Sequence, residues 1–312
     1  MDFEAPDWKA LHSSLSRRRR FAFCPVGYYL YHVAGRDGYA DHPDDWRYMV
    51  YCAKHCISAD AWVKNLFRRA AGEFFRKGSD FRKNTFPVFV RRSFERDFTL
   101  LERCEFLSDP KIVNSVVEIE SGALAINSFY EQALLKLNEL IDALSRQEFF
   151  EKLCRLPMVD FVVENNILCW QLGGVNFCNT PDLMYHADNQ LNILDMNSYS
   201  YTQEQLRSAA LLRAYCWRFR RIPPENVNII NLDLNTFRSR KVGVAPEDFT
   251  EIFRALTAEA AMWRDYLLKQ SITAKDGEWH YAQLDKCQYC RFSRVCPACH
   301  GTAEDENGSI NF

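Results

Sequence analysis

The sequence lacks the features that mark several common classes of protein. No apolar run approaches the roughly 20 residues that a membrane-spanning helix needs, and the acidic start MDFEAPDWKA has no apolar signal core. These absences predict a cytoplasmic protein with no membrane attachment. The chain also has no GxxxxGK[ST] loop, so an intrinsic ATPase or helicase motor is not expected. Any helicase or other motor would have to be a partner protein.

Net charge is small, at −2 for 312 residues. The charge is distributed unevenly, because residues 1–100 carry 18 Lys/Arg against 12 Asp/Glu and the remainder is acidic. A basic front half is compatible with one face that binds a phosphate backbone, and equally with ordinary surface variation. No Ser/His/Asp or Cys/His arrangement indicates nucleophilic catalysis.

Hydrophobic periodicity divides the chain into a helical front and a later mixed part. Helical spacing is found over 9–32, 58–76 and 112–147. Beyond Met158 the pattern predicts strands and two further helices. The predicted strands are 159–164, 167–172, 174–186, 191–196 and 226–234, and the predicted helices are 202–219 and 246–269. Helices first and a mixed sheet afterwards predict an α/β fold with an appended helical part.

Two aspartates at predicted strand ends are the main candidates for chemistry. Asp182 lies early in the strand 174–186, and Asp195 ends the strand that follows, thirteen residues later. Because a hairpin folds such positions back towards each other, the two carboxylates can share a divalent cation such as Mg²⁺ or Mn²⁺. A metal held in this way can activate water for phosphodiester hydrolysis. Aspartates that merely end strands at turns are the alternative.

Cysteine use is uneven. The run Cys287-x2-Cys290-x5-Cys296-x2-Cys299 indicates a metal site. Two interpretations remain open: four local thiolates around structural Zn²⁺, or the first three with a distant fourth thiolate around an iron–sulfur cluster. The scattered cysteines are expected to be core residues rather than disulfides, and they are Cys52, Cys56, Cys104, Cys154, Cys169, Cys178 and Cys216.

The hairpin resembles the active site of RecB-like nucleases of the PD-(D/E)XK superfamily. Those proteins have an Asp on one strand, then an apolar strand ending in Asp-x-Lys, then a helix with an orienting Gln. Asp182 and the run Leu194-Asp195-Met196-Asn197 match the strands, and Gln203 or Gln205 opens the following helix. The front of the chain is similar to the family's opening helix, with Ser-Arg, then Phe23-Cys24-Pro25 and a tyrosine cluster.

The resemblance implies a DNA-processing protein with a restriction-endonuclease-like mixed sheet flanked by helices. Its implied catalytic residues are Asp182, Asp195, Asn197 and Gln205, with the two aspartates as metal ligands. Two positions depart from the family pattern, because Asn197 stands at the Lys position and Arg68 at about the position of a metal-binding His. An arginine cannot bind Mg²⁺ but can hold a phosphate. Lys64 is a candidate replacement cation, although an ordinary solvated lysine is expected.

The resemblance also bears on the cysteines, since the AddB type holds a [4Fe–4S] cluster through one early cysteine and three late ones. It implies Cys24, Cys287, Cys290 and Cys296 as ligands, with structural Zn²⁺ as the alternative. The predicted division is a helical part with the first cluster cysteine, a nuclease-like core, a cysteine segment and a disordered tail. These parts span 1–157, 158–280, 281–300 and 301–312.

Two functions follow from these residues. The first is Mg²⁺-dependent hydrolysis of DNA, acting on single strands or duplex ends, impaired by Asn197 in place of Lys. The second is a catalytically inactive subunit, derived from a nuclease, that binds DNA or a partner through the same cleft.

Overall fold

The computed structural model describes residues 11–35, 45–76, 85–109, 111–162, 168–172, 175–197, 203–245, 248–273, 287 and 290–296. Its helices are α1 (Leu15–Phe23), α2 (Pro25–Tyr29), α3 (Asp45–His55), α4 (Ala59–Arg76), α5 (Phe86–Glu102), α6 (Val117–Glu120), α7 (Ile126–Ser145), α8 (Glu148–Arg155), α9 (Gln203–Arg220) and α10 (Asp248–Thr273). Its strands are β1 (Leu11–Ser13), β2 (Cys56–Ile57), β3 (Ser115–Val116), β4 (Leu168–Leu172), β5 (Val175–Asn179), β6 (Leu183–Ala187), β7 (Gln190–Asn197), β8 (Val227–Asp233) and β9 (Ser239–Lys241). The predicted α/β class, a mixed sheet flanked by helices, is confirmed.

The chain divides into two compact units. The first unit comprises 1–15, 59–99 and 125–260, and the second comprises 16–58, 100–124 and 261–312. None of the described helices is long and apolar enough to cross a membrane. The predicted tail at 301–312 lies outside the described residues, and the predicted division at residues 157 and 280 stays a prediction.

The first unit contains two sheets. One has the order β1-β5-β4, in which β1 runs parallel and β4 antiparallel to the central strand β5. The other has the order β6-β7-β8-β9, in which β6 and β7 form an antiparallel hairpin. Strand β8 runs parallel to β7. A parallel pair needs a crossover connection, and α9 supplies it between these two strands.

Helix α9 covers one face of the four-stranded sheet. Its apolar side chains include Ala209, Leu212 and Cys216, and they pack against buried residues of the sheet such as Ile193 and Ile229. Residue Ser208 of α9 also donates a hydrogen bond to Asn179 at the end of β5, over 2.9 Å. The crossover helix is therefore held to both sheets of the first unit.

The predicted strand 174–186 is wrong in one respect. It forms two strands, β5 and β6, which belong to different sheets, with the break at residues 180–182. Pro181 has no N–H to donate to a neighbouring strand, so it cannot continue a central strand. Asp182 therefore lies just before β6 rather than within a strand.

The predicted helix 9–32 is also interrupted. Residues 11–13 form strand β1, and α1 ends before Cys24, which caps the next helix α2. Pro25 is the first residue of α2, where its missing N–H costs nothing. Residues 9–10 lie outside the described residues. The predicted helix 58–76 corresponds closely to α4.

The second unit is built around an apolar cluster. Val26, Leu30 and Val50 are fully buried in it, together with Phe292 and Cys296 from the late cysteine segment. The indole N–H of Trp46 donates to the backbone oxygen of Val295 over 3.0 Å. The segment 290–296 is thus packed against helices that begin more than 200 residues earlier in the chain.

The turn between β6 and β7 offers a test of how this hairpin is held. Asp188 and Asn189 both have positive φ, at 54° and 59°. A two-residue hairpin turn of this type favours Asn or Gly, because other side chains are strained in the left-handed region. Asn189→Val should lower the free energy of unfolding by about 1–2 kcal/mol, while Asn189→Gly should leave it nearly unchanged. Urea unfolding followed by circular dichroism would measure both, and equal stability of the two variants would contradict the turn geometry.

Candidate active site

The hairpin brings the two predicted aspartates together. Leu183 pairs with Leu194, so the same register continued by one residue sets Asp182 opposite Asp195. The backbone N–H of Asp182 donates to the oxygen of Leu194 over 3.1 Å. The N–H of Met196 in turn donates to Asp182 Oδ2 over 2.6 Å. Asp182 is therefore fixed to β7 through both its backbone and its carboxylate.

The cation between these carboxylates is the guanidinium of Arg68. Its Nε lies 3.0 Å from Oδ1 and 3.2 Å from Oδ2 of Asp182, and its Nη2 lies 3.9 Å from Asp195 Oδ1. Arg68 comes from the middle of α4, more than 110 residues earlier in the chain. The resemblance to RecB-like nucleases implied a metal-binding His at about this position, and here a permanent organic cation contacts both candidate ligands.

Burial sets the electrostatics of this group. The side chain of Asp182 is 10% exposed, against 23% for Asp195 and 31% for Arg68. Burial raises the pKa of Asp182 from 3.8 to about 6, and the charge of Asp195 adds to the rise. The guanidinium of Arg68 and the N–H of Met196 oppose it. Even with an arginine in contact, ionisation of Asp182 is thus less favourable than in water, as expected for two neighbouring carboxylates.

Helix α4 approaches the hairpin closely at Gly72. A Cβ at this position would lie 3.0 Å from the backbone oxygen of Asp182 and about as close to the guanidinium of Arg76. Arg76 Nη1 donates to the same Asp182 oxygen over 3.0 Å. A glycine is therefore needed for α4 to place Arg68 against the carboxylates.

Lys64 does not behave as predicted. It is not a solvated lysine, since its side chain is only 5% exposed. Its Nζ donates to Asp60 Oδ2 over 2.6 Å and to Asn235 Oδ1 over 2.5 Å. These partners are not the candidate metal ligands, so these contacts tie α4 to the loop after β8 instead of supplying a cation to the carboxylate pair.

The remaining predicted catalytic residues lie at the same end of the sheet. Asn197 is the last residue of β7, where it pairs in register with Asp233 of β8. Gln205 is the third residue of α9 and is buried, whereas Gln203 is exposed. Between the two glutamines, Gln205 is the one placed inside the structure. Their catalytic roles stay a prediction.

In the second unit, three of the predicted cluster cysteines lie near one another. Burial raises the pKa of Cys290, and the charges of Cys24 and Cys287 raise it further. Cys24 Sγ accepts a hydrogen bond from the N–H of Gly27 over 3.3 Å, and the N–H of Cys290 donates to the oxygen of Cys287 over 3.0 Å. Cys296 is 7% exposed in the apolar cluster that also contacts Cys24 and Cys290. Cys299 and His300 lie outside the described residues.

Comparison with known proteins gives one finding. A model of the PD-(D/E)XK nuclease superfamily matches residues 104–297, which is more than half of the chain. The matched stretch contains the hairpin with both aspartates, the start of α9 and the late cysteines through Cys296. Arg68 and Cys24 precede it. No curated protein matches the chain significantly.

The sequence did not reveal two features of the first unit. One is the direct contact of the Arg68 guanidinium with both carboxylates, because the resemblance implied only that residue 68 stands near a metal-binding position. The other is the pair Cys169 and Cys178, expected as separate core residues and joined by a disulfide in the structure. A signal for this pair was available, since the two cysteines are equally spaced about the turn-forming sequence Gly173-Gly174.

The raised pKa of Asp182 predicts a pH dependence of stability. Asp182→Asn keeps an acceptor for the Met196 N–H and removes the titration. Because folding raises this pKa, the contribution of the group is fully present in acid and is lost as the pH rises through about 6. The variant should therefore gain stability relative to the wild type by up to about 3 kcal/mol between about pH 4 and about pH 7.

Urea unfolding in EDTA at a series of pH values would measure this difference. The attraction between Arg68 and ionised Asp182 is already part of the raised pKa, so the slope of the stability difference against pH is diagnostic. Asp142→Asn, at an exposed position of α7, serves as the control for removing an aspartate. A difference that moves in favour of the wild type with rising pH would show that the Asp182 pKa is lowered and would contradict the prediction.

Proposed function

This chain belongs to the PD-(D/E)XK nuclease superfamily, and we propose that it binds DNA at a nuclease site that Arg68 keeps closed to metal. The observation that carries this proposal is the position of the Arg68 guanidinium, 3.0 Å and 3.2 Å from the two oxygens of Asp182 and 3.9 Å from Asp195. Hydrolysis of the phosphodiester bond is then weak or absent in the protein as it stands.

Arg68 keeps the metal ion out of the site for reasons of charge and of ligand chemistry. Asp182 and Asp195 offer the carboxylate oxygens that Mg²⁺ or Mn²⁺ prefers, so the donor set fits a divalent cation. A bound metal would supply an activated water and would stabilise the leaving oxygen. Arg68 already offsets part of the negative charge of these carboxylates, stays protonated and cannot itself bind a metal. A divalent ion therefore has to displace Arg68 before both aspartates can hold it.

Asn197 weakens the site further. In the superfamily pattern the residue two positions after the second acid is a lysine, which offsets the negative charge that develops during hydrolysis. An asparagine can donate hydrogen bonds but carries no charge. Loss of one preorganised group of this kind costs on the order of 10²–10³ in rate.

DNA is the proposed partner because Arg68 suits a phosphate as well as it suits a carboxylate. Its planar guanidinium donates in the fork geometry that matches phosphate oxygens. The side chain is 31% exposed, so a phosphate can reach it from solvent. Nucleic acid is also the substrate class of the superfamily to which the chain belongs. The contact would exchange one anionic partner of Arg68 for another.

An active Mg²⁺-dependent nuclease is the second candidate, and one observation favours it. Both aspartates remain and meet at one cation, and Asp182 is held in place by the Met196 N–H over 2.6 Å. If Arg68 swings away, a carboxylate pair is already formed for the metal. The two candidates therefore differ in whether Arg68 moves away far enough for a metal ion to bind the carboxylate pair.

Restoring the residues of the family pattern at positions 68 and 197 distinguishes these two candidate functions. The double variant Arg68→His/Asn197→Lys should degrade DNA with Mg²⁺ or Mn²⁺ at least about 10²-fold faster than the wild type, because a metal ligand and a charge-stabilising cation are returned. Linear duplex and single-stranded DNA would be incubated with each protein and followed on gels. Adding Asp195→Ala to the double variant should abolish the gain.

Cleavage by the wild type that is lost in Asp195→Ala would establish the active nuclease and overturn the closed site. A double variant that folds and still fails to cut DNA would show that Arg68 and Asn197 are not the reason why hydrolysis is weak or absent. DNA binding is measured separately by fluorescence anisotropy in EDTA. Arg68→Gln should bind more weakly there, and unchanged affinity would remove the proposed phosphate contact.

For the second unit we propose a [4Fe–4S] cluster held by Cys24, Cys287, Cys290 and Cys296. The donor set consists of thiolates, which suits iron–sulfur clusters. The charges of Cys24 and Cys287 act on Cys290, and Cys296 packs in the same apolar cluster; both observations support a common site. Such a cluster would connect the start of α2 to the late cysteine segment. Its role would be to stabilise the second unit, not to take part in hydrolysis.

Anaerobically purified protein should then be brown and contain iron and acid-labile sulfide. Cys290→Ser should lose the colour and most of the iron, whereas Cys104→Ser, an exposed cysteine outside the set, should keep both. Colourless protein that contains zinc alone would establish structural Zn²⁺ as the occupant and overturn the iron–sulfur assignment.

A further inference from the structure

A second group of metal-binding side chains lies in the first unit, apart from the carboxylate pair. Among the residues that the structure describes, His12, Cys169 and Cys178 form a group of three whose ligand atoms all lie within 4.8 Å of one another. The Nδ1 atom of His12 is 3.5 Å from Cys178 Sγ. Neither the superfamily match nor the predicted cysteine cluster includes His12, and no role has been assigned to these residues above.

The three side chains are brought together by the sheet β1-β5-β4. Cys169 of β4 is directly opposite Cys178 of β5, and their Cα atoms are 4.2 Å apart. His12 of β1 pairs with Asn176 of β5. Because side chains alternate between the two faces of a strand, Asn176 and Cys178 point to the same face. Three adjacent strands therefore each contribute one ligand to that face.

The opposite face of this sheet explains why the arrangement is stable. Trp170, Val175 and Phe177 alternate with the ligand positions and are fully buried against α9 and α10. A slip of one residue in the β4–β5 register would expose these apolar side chains. The packing of one face thus fixes the positions of the two thiols on the other.

We propose that His12, Cys169 and Cys178 bind Zn²⁺ when the two cysteines are reduced. Two thiolates and one imidazole are a common zinc donor set, and water completes the tetrahedron. Cys178 and His12 are half-buried, so an ion can enter from solvent. The ion would connect β1 to the hairpin β4–β5 and would therefore stabilise the N-terminal edge of this sheet.

The disulfide between Cys169 and Cys178 is the oxidised form of the same site. An external dithiol reduces it by thiol–disulfide exchange, in which the dithiol becomes a disulfide and the protein gains two thiols. Zinc binding then releases the two thiol protons, since the metal binds thiolates. An external disulfide reverses both steps: the two protein thiols form a disulfide, the external disulfide is reduced to thiols, and the ion is released. The site therefore has a metal-bound reduced state and a metal-free disulfide state.

The first measurement is zinc binding to the full chain. Protein reduced with a dithiol and freed of the dithiol under anaerobic conditions is titrated with Zn²⁺ against a chromogenic chelator. The reduced wild type should hold about one more Zn²⁺ per chain than the same protein after mild oxidation. His12→Gln should weaken this binding by more than the roughly 10–100-fold that loss of a supporting contact costs. His186→Gln, at an exposed histidine of β6, is the matched control and should bind as the wild type does.

The second measurement identifies the cysteines and does not depend on metal at the late cysteine segment. Reduced protein is treated with iodoacetamide with and without Zn²⁺, and alkylated peptides are identified by mass spectrometry. Zinc should slow the alkylation of Cys178 in the wild type and much less in His12→Gln. Circular dichroism of the variant shows whether it is folded, so loss of binding through unfolding is recognised.

Three outcomes would overturn the proposal. The first is equal alkylation of Cys178 with and without Zn²⁺. The second is zinc affinity that is the same in folded His12→Gln as in the wild type. The third is a disulfide that the dithiol does not reduce in the folded protein, which would leave Cys169 and Cys178 as a permanent structural cross-link.

Discussion

The contact between Arg68 and Asp182 is the interaction on which the arrangement of the candidate active site depends. Asp182 is almost fully enclosed, and a buried carboxylate without a partner is strongly unfavourable. Arg68 supplies that partner without a metal ion, and the N–H of Met196 supplies a second donor. Two neighbouring acids can therefore stay at the edge of the core even without the lysine and histidine that the family pattern would place beside them. Removing Arg68 alone would leave the carboxylate of Asp182 with the Met196 N–H but without this cation.

This pairing explains a combination that is otherwise hard to reconcile. Both acids are present, whereas the chain has Asn197 and Arg68 where the resemblance to RecB-like nucleases implies a lysine and a histidine. If the acids had only a catalytic purpose, nothing would keep them once catalysis was lost. Here the carboxylate of Asp182 also holds α4 to the hairpin, since Arg68 binds it directly. Retained acids are thus compatible with a protein that no longer cuts DNA.

Much of the fold could be predicted from the sequence because hydrophobic periodicity is local. The hairpin β6–β7, the crossover helix α9 and strand β8 were all visible in this way. The break at Pro181 was missed although the run Asn179-Thr180-Pro181-Asp182 interrupts the apolar pattern and a proline without an N–H is a sufficient reason to end a strand. The pairing of Asp182 with Asp195 was predictable from the hairpin register for the same local reason.

The contacts made by α4 could not be predicted in this way. Arg68 and Lys64 share a helix face at a spacing of four residues, yet one contacts the carboxylate pair and the other binds Asp60 and Asn235. Which of the two faces the acids depends on how the helix is rotated and how closely it packs. Those quantities are set by tertiary contacts that have no signature in the sequence of the helix.

Gly72 allows shape and charge at this site to be varied independently. It lies one turn beyond Arg68, and a methyl group there would meet the Asp182 carbonyl oxygen at 3.0 Å, closer than ordinary van der Waals contact. A small side chain at this position acts as a wedge, which widens the gap between helix and hairpin while every ionisable group stays in place. The distance between arginine and carboxylate could thus be tuned through a residue that carries no charge and forms no bond with either.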